Sequence, residues 1–457
     1  MTTSMTEPRL STTATGALDH AFVTDLAARF EADPTARLAR NAVTRAPLSD
    51  VALDRSIVTT IDHTFSHVLD QWEVTNQKQS GRCWMFAALN LLRVGAMQKM
   101  NLASFEFSQN YTLFWDKFER ANWFLEAILE TSAQPVDDRS VAYLLDHPVD
   151  DGGQWNMAIN VIRKHGLVPK SVMPETNSSS CTRPMNQQLV HRLREGARTL
   201  RALRASGAPM EAAQVAKREI LAAVHRILVV HLGAPPTEFE WQWNDKDREF
   251  HRDGRLTPQA FAEKYVTLPI DEYVCLVHDP RESSPFGRTF TVEHLGNVVG
   301  GAPVVYLNVE LDVMKQIARD VIVGGEPVWF GCDVGPMMER KLGVWDRKLF
   351  DYETIYGTPY TLGKAERLEF HQSLMTHAML FTGVDVHGDH ARRWRVENSW
   401  GEDSGRKGFY VMNDSWFDEY VFEIAARRDQ LPENLRAALD EEPIVLPAWD
   451  PMGALAR

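Results

Sequence analysis

Cysteine is scarce in this chain. Four occur among 457 residues, Cys83, Cys181, Cys275 and Cys332. No CxxC pair or regular spacing joins them, which excludes a disulfide framework and the usual structural zinc patterns. A reducing compartment fits that usage. Positive charge is also in deficit: 49 Lys and Arg face 62 Asp and Glu, a formal net charge of −13, so the overall field repels nucleic-acid phosphates and anionic lipid. Nucleic acid is therefore not expected as the main ligand, although 192–204 is a local basic stretch. No apolar run approaches the roughly 20 residues that span a bilayer, and the Ser-, Thr- and Ala-rich N-terminus lacks the basic-then-apolar order of a secretory leader. The expectation is a cytoplasmic protein without membrane association. What the chain does have is a hydrophobic content of 44 %, enough for the core of one large elaborated domain or of two to three ordinary ones.

Residues 1–20 read as a flexible tail, because few large apolar groups are there to offset the entropy of ordering, and folded structure is expected from near Asp25. From Ser80 the pattern turns helical: Met85, Leu89 and Leu92 recur at four- and three-residue steps, with Ser80 or Gly81 near the N-cap. A second helix is expected after Ser108 and a third over about 155–165, stopped by Gly166. Residues 186–232 form two Ala-, Leu- and Arg-rich helical stretches separated by "SGAP", an inserted helical hairpin. After Pro269 the segments "YVCLVH", "RTFTVEHL", "PVVYLNV", "EPVWFGCDV", "HAMLFTGVDV", "RRWRVENSW" and "GFYVMND" read as strands, broken by a helix at 310–323. Helices first and strands afterwards predict an α+β fold with segregated lobes and a cleft between them.

The stretch "TNQKQSGRCWMF" places Cys83 where a helix begins. There, unpaired backbone N–H groups and the helix dipole favour a thiolate, the nucleophilic form. A buried structural thiol is the commoner fate of a cysteine beside Trp, Met and Phe. Gln77, just before the helix, offers a side-chain N–H that can join the backbone N–H of Cys83 in holding an oxyanion, or is a solvated loop amide. A thiolate also needs a base and an acceptor to orient that base. His377 opens an apolar strand, and Asn398 follows in "RVENSWG", so two antiparallel strands can bring them together with Trp400 shielding the bond; singly, they also read as a core histidine and a turn former. "HGDH", with His387 and His390, reads as a polar hairpin turn in preference to a metal site. No metal or cofactor is implied.

Gln77, Cys83-Trp84, His377 and Asn398-Ser399-Trp400-Gly401, in that order, resemble the papain-like cysteine peptidases, whose local signature is C-G-[SA]-C-[WY]. Here it reads Ser80-Gly81-Arg82-Cys83-Trp84. Ser80 replaces the first cysteine, so the disulfide that secreted members make there cannot form, and Arg82 replaces the usual small residue. His377 and Asn398 come about 300 residues after Cys83, well beyond the roughly 130–150 of simple members. That length, "NQKQSGRCW", "VENSWG" and the C-terminal "LPAWDPMGALAR" are similar to the bleomycin hydrolase and aminopeptidase C family, from about residue 20 to the end.

The resemblance implies a two-lobed papain-like core over 21–457, a helical lobe plus a β-barrel-like lobe, carrying the 186–232 insertion and assembled as a homohexamer. It implies Cys83 as nucleophile, His377 as acid and base, Asn398 as orienting residue and Gln77 in the oxyanion hole. Trp84, Gly152 and Gly153 are expected to bind substrate; the glycine pair in "DDGGQW" reads equally as a tight turn before the next helix. The family's C-terminal arm, here 443–457, reaches the active site and limits attack to the substrate's amino end. Ala456 and Arg457 would then face a substrate α-ammonium, and a terminal Arg457 would set a cation beside it, so Arg457 is expected to be trimmed. The expected partner is a peptide with a free N-terminus, the expected activity that of a cysteine aminopeptidase, with hydrolysis of amide compounds such as bleomycin in its range. An endopeptidase of the same fold, and a non-catalytic cage that binds peptide or nucleic acid, are the alternatives.

Overall fold

The computed structural model describes residues 16–69 and 72–456. The chain divides into two compact units, one of 1–59 with 348–361, the other of 60–347 with 362–457. In the first, the helix His20–Ala32 starts five residues before Asp25, because the Asp19 carboxylate caps it by accepting from Phe22 N at 2.7 Å. The earlier part of the expected tail, 1–15, lies outside the described residues. Asp33 caps the next helix, Pro34–Val43, and Leu53 bridges to Phe350 within the same unit.

The second unit holds five helices that matter here: α1 (Cys83–Met100), α2 (Gln109–Glu130), α3 (Trp155–His165), α4 (Arg183–Ala205) and α5 (Met210–Leu232). α2 is capped by Ser108, whose hydroxyl accepts from Tyr111 N at 3.0 Å, and α3 stops at Gly166, which has φ +73°. The α4–α5 hairpin opens three residues before 186. Gly196 and Ile220 meet at its seam, where a Cβ on the glycine would lie 3.0 Å from the isoleucine. The N-cap of α1 is Arg82, not Ser80 or Gly81.

Among the described residues, a twelve-stranded sheet forms the other layer. Its centre runs β1 (Tyr273–Val277), β6 (Val421–Arg427), β2 (Val328–Cys332), β3 (His377–His387), β4 (His390–Glu397), β5 (Phe409–Asn413), each neighbour antiparallel. The sheet has a different apolar cluster on each side. Ala378 and Leu380 of β3 lie in the cluster built from α1, α2 and α3, and Met379 and Phe381 lie in the other with Trp394, Trp416 and Phe417. This is the period-2 alternation of a strand buried on both faces. The architecture is α+β, a helical layer packed on a sheet, and α1 packs on the sheet along β3 and β2. His387 and His390 sit across a two-residue hairpin turn.

Candidate active site

Cys83 is the first residue of α1, buried at 4 % exposure. Its thiol lies against the backbone N–H of Ala378, the residue after His377, and this donor, with the N–H groups of Trp84 and Cys83 itself, favours the thiolate. Burial is the larger effect and pushes the thiol up to about 11. His377 is equally buried, and burial lowers its imidazole to about 4, with the Asn398 hydrogen bond opposing. His377 Nε2 and Asn398 Oδ1 are 2.9 Å apart, so the ring donates there and leaves Nδ1 as its unprotonated nitrogen. Asn398 Oδ1 also accepts from Ser399 N at 2.7 Å. The Trp400 ring lies 4.9 Å from the imidazole, and the Arg340 guanidinium lies 4.6 Å over Trp400.

Gln77 is fixed at both ends of its amide. Oε1 accepts from Ser399 Oγ at 2.6 Å, Nε2 donates to Ser80 O at 2.6 Å, and its backbone N donates to Ser399 O at 2.8 Å. One Nε2 hydrogen remains beside the start of α1. The structure thus brings together Gln77, Cys83, His377, Asn398 and Trp400, which the sequence separates by over 300 residues.

The chain as a whole has counterparts among known proteins. Residues 17–453 match the model of the Peptidase C1-like family. The chain belongs to that family. Bleomycin hydrolase of Rattus norvegicus is 44 % identical over 444 residues, covering 95 % of this chain and 98 % of that one. Aminopeptidase C of Streptococcus thermophilus is 44 % identical over 436 residues, again covering 95 % and 98 %. PepW of Lactobacillus rhamnosis HN001, a solved structure, superposes with a TM-score of 0.94 at 43 % identity, over 96 % of this chain and 99 % of that one. As a member of the Peptidase C1-like family the chain carries the papain-like fold of a cysteine peptidase.

The substrate-binding expectations fare differently in this Peptidase C1-like site. Trp84 is fully buried; its indole N–H donates to Asp151 O at 2.8 Å and its carbonyl accepts from Trp329 at 3.1 Å. What the structure gives Trp84 is packing: its ring lies against Gly153 and beneath the Arg120 guanidinium. Gly152 and Gly153 are buried too. A Cβ on Gly153 would stand 2.5 Å from the Trp84 ring, so the glycine is required by that packing, while Gly152 O accepts from Arg120. The C-terminal arm enters as a strand, Ile444–Leu446, parallel to Phe290–Val292. Arg281 grips Asp450 with two bonds of 3.0 and 2.9 Å, and Tyr306 donates to Met452 O at 3.2 Å. Leu455, buried, reaches within 3.3 Å of where a Cβ on Gly331 would be, and Gly331 is the strand partner of Ala378. Ala456 closes the last described turn, and Arg457 lies outside the described residues.

Sequence reasoning missed the support beneath these groups. Glu397, fully buried just before Asn398, accepts from Trp72 Nε1 at 2.5 Å, Asn90 Nδ2 at 3.0 Å and Arg93 Nη2 at 2.9 Å. Asp151 is half-buried behind Gly81; partial burial opposes its charge, but Lys117 at 2.6 Å with Thr182 and Asn186 holds it well below the usual carboxylate range. A Cβ on Gly81 would meet Asp151 at 2.7 Å. The one signal available was the polar content of an otherwise apolar α1, Asn90 and Arg93 at helical spacing from Cys83.

Proposed function

We propose that the chain is a cytosolic cysteine aminopeptidase that releases the first residue from peptides with a free N-terminus and works as a homohexamer. In this reading His377 Nδ1 takes the Cys83 proton, and the thiolate attacks the first peptide carbonyl. The oxyanion is held by Cys83 N–H and Gln77 Nε2–H, whose amide is locked by Ser399 and Ser80. Protonation of the leaving nitrogen by the His377 imidazolium breaks the C–N bond and leaves a thioester. Water, deprotonated by His377, then releases the acyl group as a free amino acid and restores the thiol. Asn398 holds the imidazole in the tautomer that does this.

The observation that carries the aminopeptidase reading is the arm: Leu455 fills the notch at Gly331, one strand away from Ala378 and the thiol. An occupied groove leaves room for no more than the first residue upstream of the cleaved bond. The terminal carboxylate that follows is suited to pair with a substrate α-ammonium, a contact of the order of 1.5–7 kcal/mol when drawn out of water. We place that carboxylate on Ala456 after loss of Arg457; intact-mass measurement of active enzyme then finds the shorter chain, and full retention of Arg457 contradicts it. Hydrolysis of amide compounds such as bleomycin belongs to the same reading, because that relative's name carries it. For assembly, the helix His20–Ala32 buries no residue and exposes Phe22, Val23, Leu26 and Phe30, an apolar stripe that a second copy can cover.

Deleting residues 453–457 is the direct test. The truncated enzyme is expected to cleave N-acetylated peptides that the full chain leaves intact. Unchanged preference for a free amine in the truncated enzyme contradicts the arm's part.

A further inference from the structure

The two places where this chain departs from the cysteine-peptidase signature, Ser80 and Arg82, touch each other. Arg82 Nε donates to Ser80 Oγ at 2.9 Å, and the two terminal nitrogens of the guanidinium form a bidentate pair with Glu175 at 2.9 and 2.8 Å. Arg82 is wholly buried, its side chain at 0 % exposure and that of Glu175 at 21 %. Ser179 Oγ donates to the same carboxylate at 2.8 Å. On the other side, Ser80 Oγ donates to Gln77 O at 2.6 Å while Gln77 Nε2 donates to Ser80 O. The loop is also pinned by Gln79 N, which donates to Ser180 O at 2.9 Å. One hydrogen-bonded path therefore runs from Glu175 through Arg82 and Ser80 to the Gln77 amide and Ser399, and Arg82 is the residue whose backbone carries straight into Cys83.

We infer that Arg82 and Glu175 are positioning residues for the oxyanion site, a non-covalent staple between the 77–82 loop and the 175–182 segment. The inference rests on the catalytic reading above. A bidentate arginine–carboxylate pair fixes both distance and orientation, and Arg82 Nε fixes the Ser80 hydroxyl, so the Gln77 amide is aimed before substrate arrives. The arginine acts by geometry and not by charge. Its cation is matched by Glu175, and burial and nearby N–H donors, not Arg82, govern the thiol.

Four variants, with Gln77→Ala as the reference, test this, with kcat expressed per titratable Cys83 thiol. Ser80→Ala leaves the ion pair intact and is expected to lower kcat about tenfold, with KM close to wild type and Tm lowered by the unpaired Arg82 Nε–H. Arg82→Met is expected to lower kcat by about 10- to 100-fold, short of the roughly 10²–10³ lost when an oxyanion donor is removed. Adding Gln77→Ala to Arg82→Met should cost no more than Gln77→Ala alone, because both act through one amide. The pair replacement Arg82→Met with Glu175→Met leaves no buried unpaired charge and is expected to regain Tm but not kcat. Full recovery of kcat in that double variant, additive losses with Gln77→Ala, or unchanged kcat in Ser80→Ala would each overturn the inference. A wild-type enzyme indifferent to Cys83→Ala would instead defeat the catalytic reading beneath it.

Discussion

At Cys83 two influences oppose each other: N–H groups at the start of α1 and from Ala378 favour the anion, and burial disfavours it more strongly. Burial is the dominant influence on both groups, lowering the imidazole to about 4 and pushing the thiol up to about 11. Moving one proton from sulfur to Nδ1 changes no net charge, so the pair keeps the same proton count throughout that interval. The expected result is an iodoacetamide alkylation rate at Cys83 that stays nearly flat from about pH 5 to 9. A tenfold rise per pH unit up to about 8.5, the behaviour of an isolated thiol, would contradict it. Gln77→Ala should reduce turnover by roughly 10²–10³, read as kcat on an aminoacyl amide. The reacting residues were legible in the sequence because each chemistry admits few residue types: a thiol at a helix start, an amide before it, an imidazole and its acceptor on two strands. Their supports were not. Glu397, Asp151 and Glu175 carry no local pattern, and only the fold shows which cations they meet.

At the scale of elements, α1 depends on how closely its neighbours approach. Gly153→Ala puts a methyl group 2.5 Å from the Trp84 ring, and that indole, fully buried and bonded through its N–H to Asp151 O, resists giving way. Overpacking of this kind costs about 1–3 kcal/mol. A thermal melt of the variant should show Tm lowered by several degrees, and an unchanged Tm would mean the ring can move. α1, α2, α3 and the α4–α5 hairpin were readable from their apolar period and their stop residues. Strand β6 was not, although it sits mid-sheet between β1 and β2. It is buried on both faces, so it shows no alternation, and "VFEIAAR" mixes β-branched residues with alanine and a carboxylate. The hairpin Phe239–Asn244 with Phe250–Leu256 was missed for the opposite reason, its second strand being largely charged.

For the molecule as a whole, β6 carries a group that sets how stability responds to pH. Glu423 is fully buried, and burial, opposed by the Cys275 thiol beside its carboxylate, pushes its pKa from 4.5 to about 8. The folded state therefore holds a proton that the unfolded chain releases, and stability falls as pH rises across that interval. Glu423→Gln, which cannot ionise, should leave Tm unchanged near pH 4.5 and raise it relative to wild type at pH 8 and above. Parallel Tm curves for the two proteins would contradict this. No helix of the described residues is long and apolar enough to cross a membrane, and the proposed hexamer predicts a sedimentation mass near six times 51.9 kDa. Replacing Phe22 and Leu26 with Asp should shift it to smaller species.

The most direct measurement compares one short peptide in two forms, with its first amine free and with that amine acetylated, using wild type and Cys83→Ala in parallel. The account predicts release of the first amino acid by wild type from the free form alone, and from neither form by the variant. Equal release by Cys83→Ala, or equal cleavage of both forms by the full chain, would contradict it.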